Sequence, residues 1–102
     1  MITVKIGQEQ CGIDEVTEQW INEQFRRRRA DGSQVCVQVI LRTDWLNMTL
    51  STPECQGGGG GGRPPNEKER QLFDLWADRG LNDLRLSSGN LVAFLKQLRR
   101  AL

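Results

Sequence analysis

The residues best suited to bind a ligand surround six consecutive glycines, Gly57 to Gly62, which are followed by Arg63 and two prolines. A glycine-rich loop before a helix can hold phosphate, because backbone N–H groups and the helix N-terminus attract anions. Arg63 could pair with that phosphate. A nucleotide-binding P-loop, however, needs Lys and then Ser or Thr after its last glycine, and prolines remove N–H donors. The pattern favours a flexible Gly/Pro-rich connector over residues 52–65, with a phosphate or small-molecule site as the alternative.

The three cysteines, Cys11, Cys36 and Cys55, are far apart in the sequence and form no Cys-x-x-Cys pair. Since the chain also has no histidine, neither a zinc site nor a histidine-activated cysteine nucleophile is indicated. We expect reduced thiols that act as small apolar side chains, with Cys36 protected inside a strand. Cys55 is the candidate reactive thiol, because it precedes the glycines and a nearby cation such as Arg63 would lower its pKa.

Four consecutive arginines, Arg26 to Arg29, form the most basic stretch of the chain. Arg27 and Arg28 are therefore candidates for a weak nucleic-acid contact. Consecutive helical residues turn by about 100° each, however, so the four side chains should spread around the helix. Cations also stabilise the last turn of a helix without any ligand. A net charge of +1 gives no general attraction to nucleic acid, so this function ranks third.

The tryptophans differ in their surroundings. Trp20 and Trp76 lie within apolar stripes of helical spacing, which predicts that both belong to the core. Trp45 instead follows Thr43-Asp44 at a predicted hairpin turn, where it is either a binding anchor near a sheet edge or packed against the helices.

The composition indicates one globular domain over residues 1–102. The chain is 37% hydrophobic and 26% charged, which is typical of globular proteins. Neither a signal-peptide pattern nor an apolar run long enough to span a bilayer is present in the sequence. The sequence therefore predicts a cytoplasmic protein that does not contact a membrane.

Apolar periodicity predicts three strands and three helices. Residues alternate between apolar and polar over Ile2–Ile6, Val35–Leu41 and Leu46–Leu50, and a further short strand through Cys11 is an open alternative. Asp14 is the predicted N-cap of the first helix. Asn66 and Glu69 predict a capping box for the second helix, Gly80 predicts its end, and Ser87 or Ser88 should cap the third.

These elements predict an α+β fold with the order β-α-β-β, a glycine-rich loop and two C-terminal helices. A right-handed crossover would make the first two strands parallel, giving a three-stranded mixed sheet with helices on one face. Because no catalytic pair or cofactor site is indicated, we expect a non-enzyme that binds a protein partner or itself. The alternatives remain a phosphate or small-molecule binder and, third, a nucleic-acid binder.

Overall fold

A computed structural model describes residues 1–30, 35–53, 55, 66–81 and 87–101 of the chain. These residues form an α+β fold of four strands and three α-helices, with a short 3₁₀ turn before the first helix. In chain order the elements are β1 (Ile2–Ile6), β2 (Glu9–Gly12), the 3₁₀ turn (Ile13–Glu15), α1 (Glu18–Ala30), β3 (Val37–Arg42), β4 (Asn47–Ser51), α2 (Glu67–Asp78) and α3 (Ser88–Ala101).

The sheet is antiparallel throughout and has the strand order β2-β1-β3-β4. The prediction of a three-stranded mixed sheet, with the first strand parallel to Val35–Leu41, is therefore wrong. The physical reason is the short strand β2, which folds back on β1 through Gly7, a glycine with a φ of 62°. Strand β2 reverses the direction of the chain before α1 begins. The connection through α1 therefore brings the chain to the end of the sheet from which β3 runs antiparallel to β1.

Alternate residues of the two central strands face the core. The burial pattern of β1 and of the first five residues of β3 is the same, with every second side chain buried. The position of β3 between β1 and β4 confirms that the most β-branched strand is central. One core cluster joins the sheet to the helices, and its fully buried members include Val4, Val37, Val39, Leu81, Leu91, Phe94 and Leu98.

The first helix begins later than predicted. Residues Ile13–Glu15 form the 3₁₀ turn instead, and Thr17 Oγ1 accepts a hydrogen bond from the backbone N–H of Trp20 (3.1 Å). Thr17 therefore caps α1, and the prediction of Asp14 as its N-cap is wrong. The turn is also held by α3, because the Arg99 side chain donates to the carbonyl groups of Ile13 and Val16.

The predicted ends of the other two helices are confirmed. Asn66 and Glu69 form the capping box of α2, with side-chain to backbone bonds in both directions. Gly80 adopts a φ of 73° after its last turn, and the following Leu81 is buried. Ser87 caps α3 by accepting from the backbone N–H of Asn90 (3.2 Å). Within the described part of the chain, no helix is long and apolar enough to cross a membrane.

Of the predicted core tryptophans, Trp76 is fully buried and packs edge-on against Phe94, with ring centroids 5.1 Å apart. Trp20 is partly buried and packs against the core cluster. Phe73 lies outside the stripe that α2 buries and is 51% exposed, although the sequence pattern included it in the apolar face.

Candidate functional site

The turn between β3 and β4 displays Trp45 at the surface. Its side chain is 81% exposed, the highest exposure of any described aromatic residue. The backbone beneath it is well bonded: Thr43 Oγ1 accepts from the N–H groups of both Trp45 (3.2 Å) and Leu46 (3.0 Å). The N–H of Thr43 in turn donates to the carbonyl of Leu46 (2.9 Å). The alternative in which Trp45 packs against the helices is therefore not what the structure contains.

A second element holds the same turn from the side. The backbone carbonyl of Trp45 accepts a hydrogen bond from the side-chain amide of Asn66 (3.0 Å), which is the N-cap of α2. The turn is thus fixed by Thr43 from within and by the start of α2 from outside. An exposed ring on a fixed backbone would lose little backbone freedom if it came into contact with another molecule.

Glu69 lies beneath this junction and is 2% exposed. One carboxylate oxygen accepts from the backbone N–H of Asn66 (3.0 Å), as in a capping box, and the other accepts from the backbone N–H of Asn47 (3.0 Å). The sequence indicated the first bond, because Asn and Glu at this spacing form a capping box. It carried no signal for the second, which joins the start of β4 to the start of α2.

The surface beside the turn is an open depression rather than a closed pocket. It is lined mainly by polar side chains, with two apolar ones, in the set Met1, Arg42, Thr43, Asp44, Leu46 and Asn47. Sites for small molecules are usually concave and mostly apolar, with few polar groups. The form of this surface suits contact with a larger partner better than enclosure of a small ligand.

The arginine cluster lies at the other end of the sheet. Arg28 lays its guanidinium over Gly7, whose N–H donates to the carbonyl of Cys36 just before β3 begins. Trp45 follows the opposite end of the same strand. Arg27 forms an ion pair with Glu23 one helical turn earlier (2.8 Å). Arg27 and Arg28 thus contact different parts of the molecule, as consecutive residues on a helix should, and the structure does not bring either of them together with Trp45.

Cys36 and Cys55 form a disulfide bond, with Cα atoms 4.8 Å apart. The expectation that both are reduced thiols is therefore wrong, and Cys55 has no free thiol to act as the predicted reactive group. Strand geometry explains the pairing. The N–H of Thr52 donates to the carbonyl of Val37, and this bond brings Cys36, which precedes Val37, near Cys55, which follows Thr52 by three residues. A disulfide is not typical of the cytoplasm. Cys11 is the free cysteine.

The predicted phosphate site lies outside the described residues, since Gly57, Gly62 and Arg63 all fall in the range 56–65. Two described residues of the predicted connector are fixed to the sheet. Thr52 is buried and accepts from the N–H of Val37 (3.0 Å), and Cys55 is held by the disulfide.

Comparison with known proteins gives no family for this chain. No protein-family model matches it, and neither the curated proteins nor the solved structures contain a significant match.

Proposed function

We propose that the protein is a non-catalytic binding module that contacts a protein partner through Trp45. The observation that supports this proposal is the combination of an exposed indole and a turn whose backbone is bonded on both sides, by Thr43 and by Asn66. Tryptophan is enriched among the few interface residues that dominate binding energy.

The large exposed area of Trp45 and the fixed backbone of its turn both favour binding. Covering a tryptophan side chain removes about 150–250 Å² of surface from water, which corresponds to roughly 4–6 kcal/mol before any cost is subtracted. Binding must offset the entropy lost when flexible groups become fixed. At Trp45 the backbone part of that loss has already occurred on folding, so more of the gain from burial remains for affinity.

The competing functions have less support among the described residues. A phosphate or small-molecule site would use Arg63 and the glycines, which lie outside that part of the chain. For nucleic-acid binding, two of the candidate cations already have intramolecular contacts, Arg27 with Glu23 and Arg28 over Gly7. The non-catalytic part of the proposal rests on the sequence, which contains no histidine.

The test compares Trp45→Ala with Phe73→Ala, because both residues are exposed aromatics and only the first lies on the bonded turn. Partners captured by the wild-type protein are first identified, and their affinity for each variant is then measured by calorimetry. We expect Trp45→Ala to weaken binding by about 30-fold or more, since loss of a central tryptophan typically costs at least 2 kcal/mol. Phe73→Ala should stay within about threefold. Equal affinities of wild type and Trp45→Ala would refute the proposal.

The cytoplasmic location stays a prediction, and the Cys36–Cys55 disulfide counts against it, because cytosolic thiols are kept reduced. Trapping free thiols with a mass tag during lysis of the native cells would decide the point. A cytoplasmic protein should carry three tags and an oxidised one should carry a single tag, on Cys11.

A further inference from the structure

The sheet has one face that the helices cover and one face that the described helices leave open. Side chains alternate between the two faces, and those of Val4 and Val39 are completely buried in the core cluster that the sheet shares with the helices. The two central strands contribute to the open face Thr3, Lys5, Gln38, Ile40 and Arg42. None of these five side chains is buried.

The strands place only basic charges on the open face. Lys5 and Arg42 are the cations of the four strands, and both lie on this face. Glu9 is the acidic residue of the strands, and it stands opposite Ile6, which faces the core. In a chain with 14 basic and 13 acidic residues, the strand positions of the open face thus carry charge of one sign.

Neither cation forms an ion pair with a described residue, including Asp44 in the neighbouring turn. The Arg42 guanidinium lies on the sheet and donates to the carbonyl groups of Leu41 (3.1 Å) and Met48 (3.0 Å). It also lies 3.5 Å from Thr49 Oγ1, and all three acceptors are uncharged. These bonds hold the guanidinium in place and leave its charge, together with Nε and one N–H of Nη2, available to an anion.

We propose that the open face binds an acidic segment of the protein partner that contacts Trp45. Arg42 connects the two surfaces, because it lines the depression beside the Trp45 turn and also lies on the open face. The register places Lys5 on the neighbouring strand and four positions along it from Arg42, which is about 14 Å. Four residues of an extended segment span this distance, so acidic side chains at positions i and i+4 would face the two cations.

Other occupants fit this face less well. A second copy bound about a two-fold axis would bring the cations of one copy towards those of the other, which costs energy. Single-stranded nucleic acid usually binds through aromatic side chains on which its bases stack, and the strand positions of the open face contain none. A neutral segment would leave both cations unpaired. An acidic polypeptide pairs with them, and its peptide groups can bond to the hydroxyl and amide side chains that surround them.

The probe for this surface is a decaglutamate peptide, titrated at low salt into the oxidised, isotope-labelled full chain. We expect the amide signals of Lys5, Gln38 and Arg42 to shift at peptide concentrations up to about 1 mM, the range of weak affinities. Added salt should weaken the binding, because it screens exposed charges.

Lys5→Gln combined with Arg42→Gln should weaken decaglutamate binding about fivefold, since each exposed ion pair contributes modestly. The matched control is Lys96→Gln combined with Arg100→Gln, which makes the same change of net charge at exposed positions of α3. The control should stay within about twofold of the wild type. Lys5→Gln alone should still weaken binding about twofold, which keeps the test valid if the Arg42 variant does not fold.

Three results would overturn the inference. One is the absence of shifts on the open face. Another is an equal loss of affinity in the two double variants, which would show that the peptide responds to net charge alone. The third is tighter binding of a ten-nucleotide thymidine strand to the same residues, which would assign the face to nucleic acid.

The inference rests on the proposed function in taking the partner to be a protein that also contacts Trp45. The two fail separately, because decaglutamate tests the open face without the turn, and Trp45→Ala tests the turn. A captured partner whose affinity falls with Trp45→Ala but not with the Lys5 and Arg42 double variant would refute the acidic segment and leave the proposed function intact.

Discussion

Glu69 shows how a single side chain can connect three parts of this fold. Its two oxygens accept from Asn47 at the start of β4 and from Asn66 at the start of α2, and the carbonyl of Trp45 is bonded to Asn66. Loss of one oxygen acceptor would leave a part-buried backbone N–H without its partner, which costs more than the bond itself contributes.

We therefore expect Glu69→Gln to lower the free energy of unfolding by about 1–3 kcal/mol, because the amide N–H₂ would face one of the two backbone donors. The measurement is urea unfolding of wild type and variant. Glu67→Gln is the matched control: Glu67 lies in the first turn of the same helix but is exposed. Its loss should be a few tenths of a kcal/mol. If Glu69→Gln and Glu67→Gln lowered the free energy of unfolding equally, the two hydrogen bonds of the Glu69 carboxylate would add no stability beyond that of a charge in the first turn.

Cys11 replaces Cys55 as the thiol that should react in the native, oxidised protein. Burial, and secondarily the negative charge of Glu15, raise the pKa of the Cys11 thiol above its usual value. The thiolate is the reactive form, so the rate of labelling by a neutral alkylating reagent should still be rising at pH values above the ordinary midpoint of ~8.5. Mass spectrometry should find label on Cys11 alone until a reductant is added.

Unfolding supplies the control for this prediction, since the reaction midpoint of Cys11 in denaturant should return to the ordinary value. Glu15→Gln should lower the native midpoint by removing the smaller of the two causes. Labelling of Cys55 without reductant would instead show that the disulfide is not formed in solution.

At the level of single residues, the sequence predicted what depends on near neighbours. The capping box of Asn66 and Glu69 was predictable because its partners are three residues apart. The disulfide was not, because a separation of 19 residues carries no signature, and the pairing depends on β3 lying beside β4. The sequence does not decide the exposure of Trp45 for a similar reason: that exposure depends on where α2 meets the turn.

The start of α1 is the element whose boundary the sequence placed wrongly. Asp14 and Thr17 are both suitable caps by residue type, and the apolar stripe extends past each of them. The structure selects Thr17 because the carbonyl groups of Ile13 and Val16 are bonded to Arg99, more than eighty positions away. Such a tertiary contact is invisible to a local pattern.

Two alanine variants test whether Thr17 or Asp14 caps α1. Thr17→Ala should lower the free energy of unfolding by about 1 kcal/mol, since it removes the acceptor for the N–H of Trp20. Asp14→Ala should change it by no more than a few tenths, because Asp14 makes no cap bond in the 3₁₀ turn. Chemical denaturation of both proteins measures the two values. If Asp14→Ala instead lowered the free energy of unfolding more than Thr17→Ala, Asp14 would be the N-cap of α1.

On the scale of the whole molecule, a strand of four residues decides the topology. Without β2, the connection from β1 through α1 would be the crossover that joins parallel strands, as the sequence predicted. With β2, the chain reverses once more and the sheet becomes antiparallel. The class of the fold was predictable from periodicity, whereas the direction of its central pair depended on an element too short and too polar to be identified with certainty.

The antiparallel pairing of β1 and β3 can be tested directly in solution. Val4 and Val39 face each other in the β1–β3 register, and they form a non-hydrogen-bonded pair because Gly7 and Arg42 mark the bonded positions of these strands. We expect a strong Hα–Hα NOE between these two valines in solution, since such pairs bring the Cα atoms to about 4.5 Å. A parallel arrangement of the same strands would place other residues opposite one another and would lack this signal.

The disulfide has a consequence for the covalent integrity of the chain. Cys36 and Cys55 enclose β3, the turn and β4 in a closed covalent ring, and the most exposed aromatic side chain, Trp45, lies on that ring. A protease that cuts once after Trp45 would therefore release nothing: the two fragments stay joined through sulfur, and the hydrogen bonds between β3 and β4 remain available to hold them in place. Only after reduction would the nicked protein separate into residues 1–45 and 46–102.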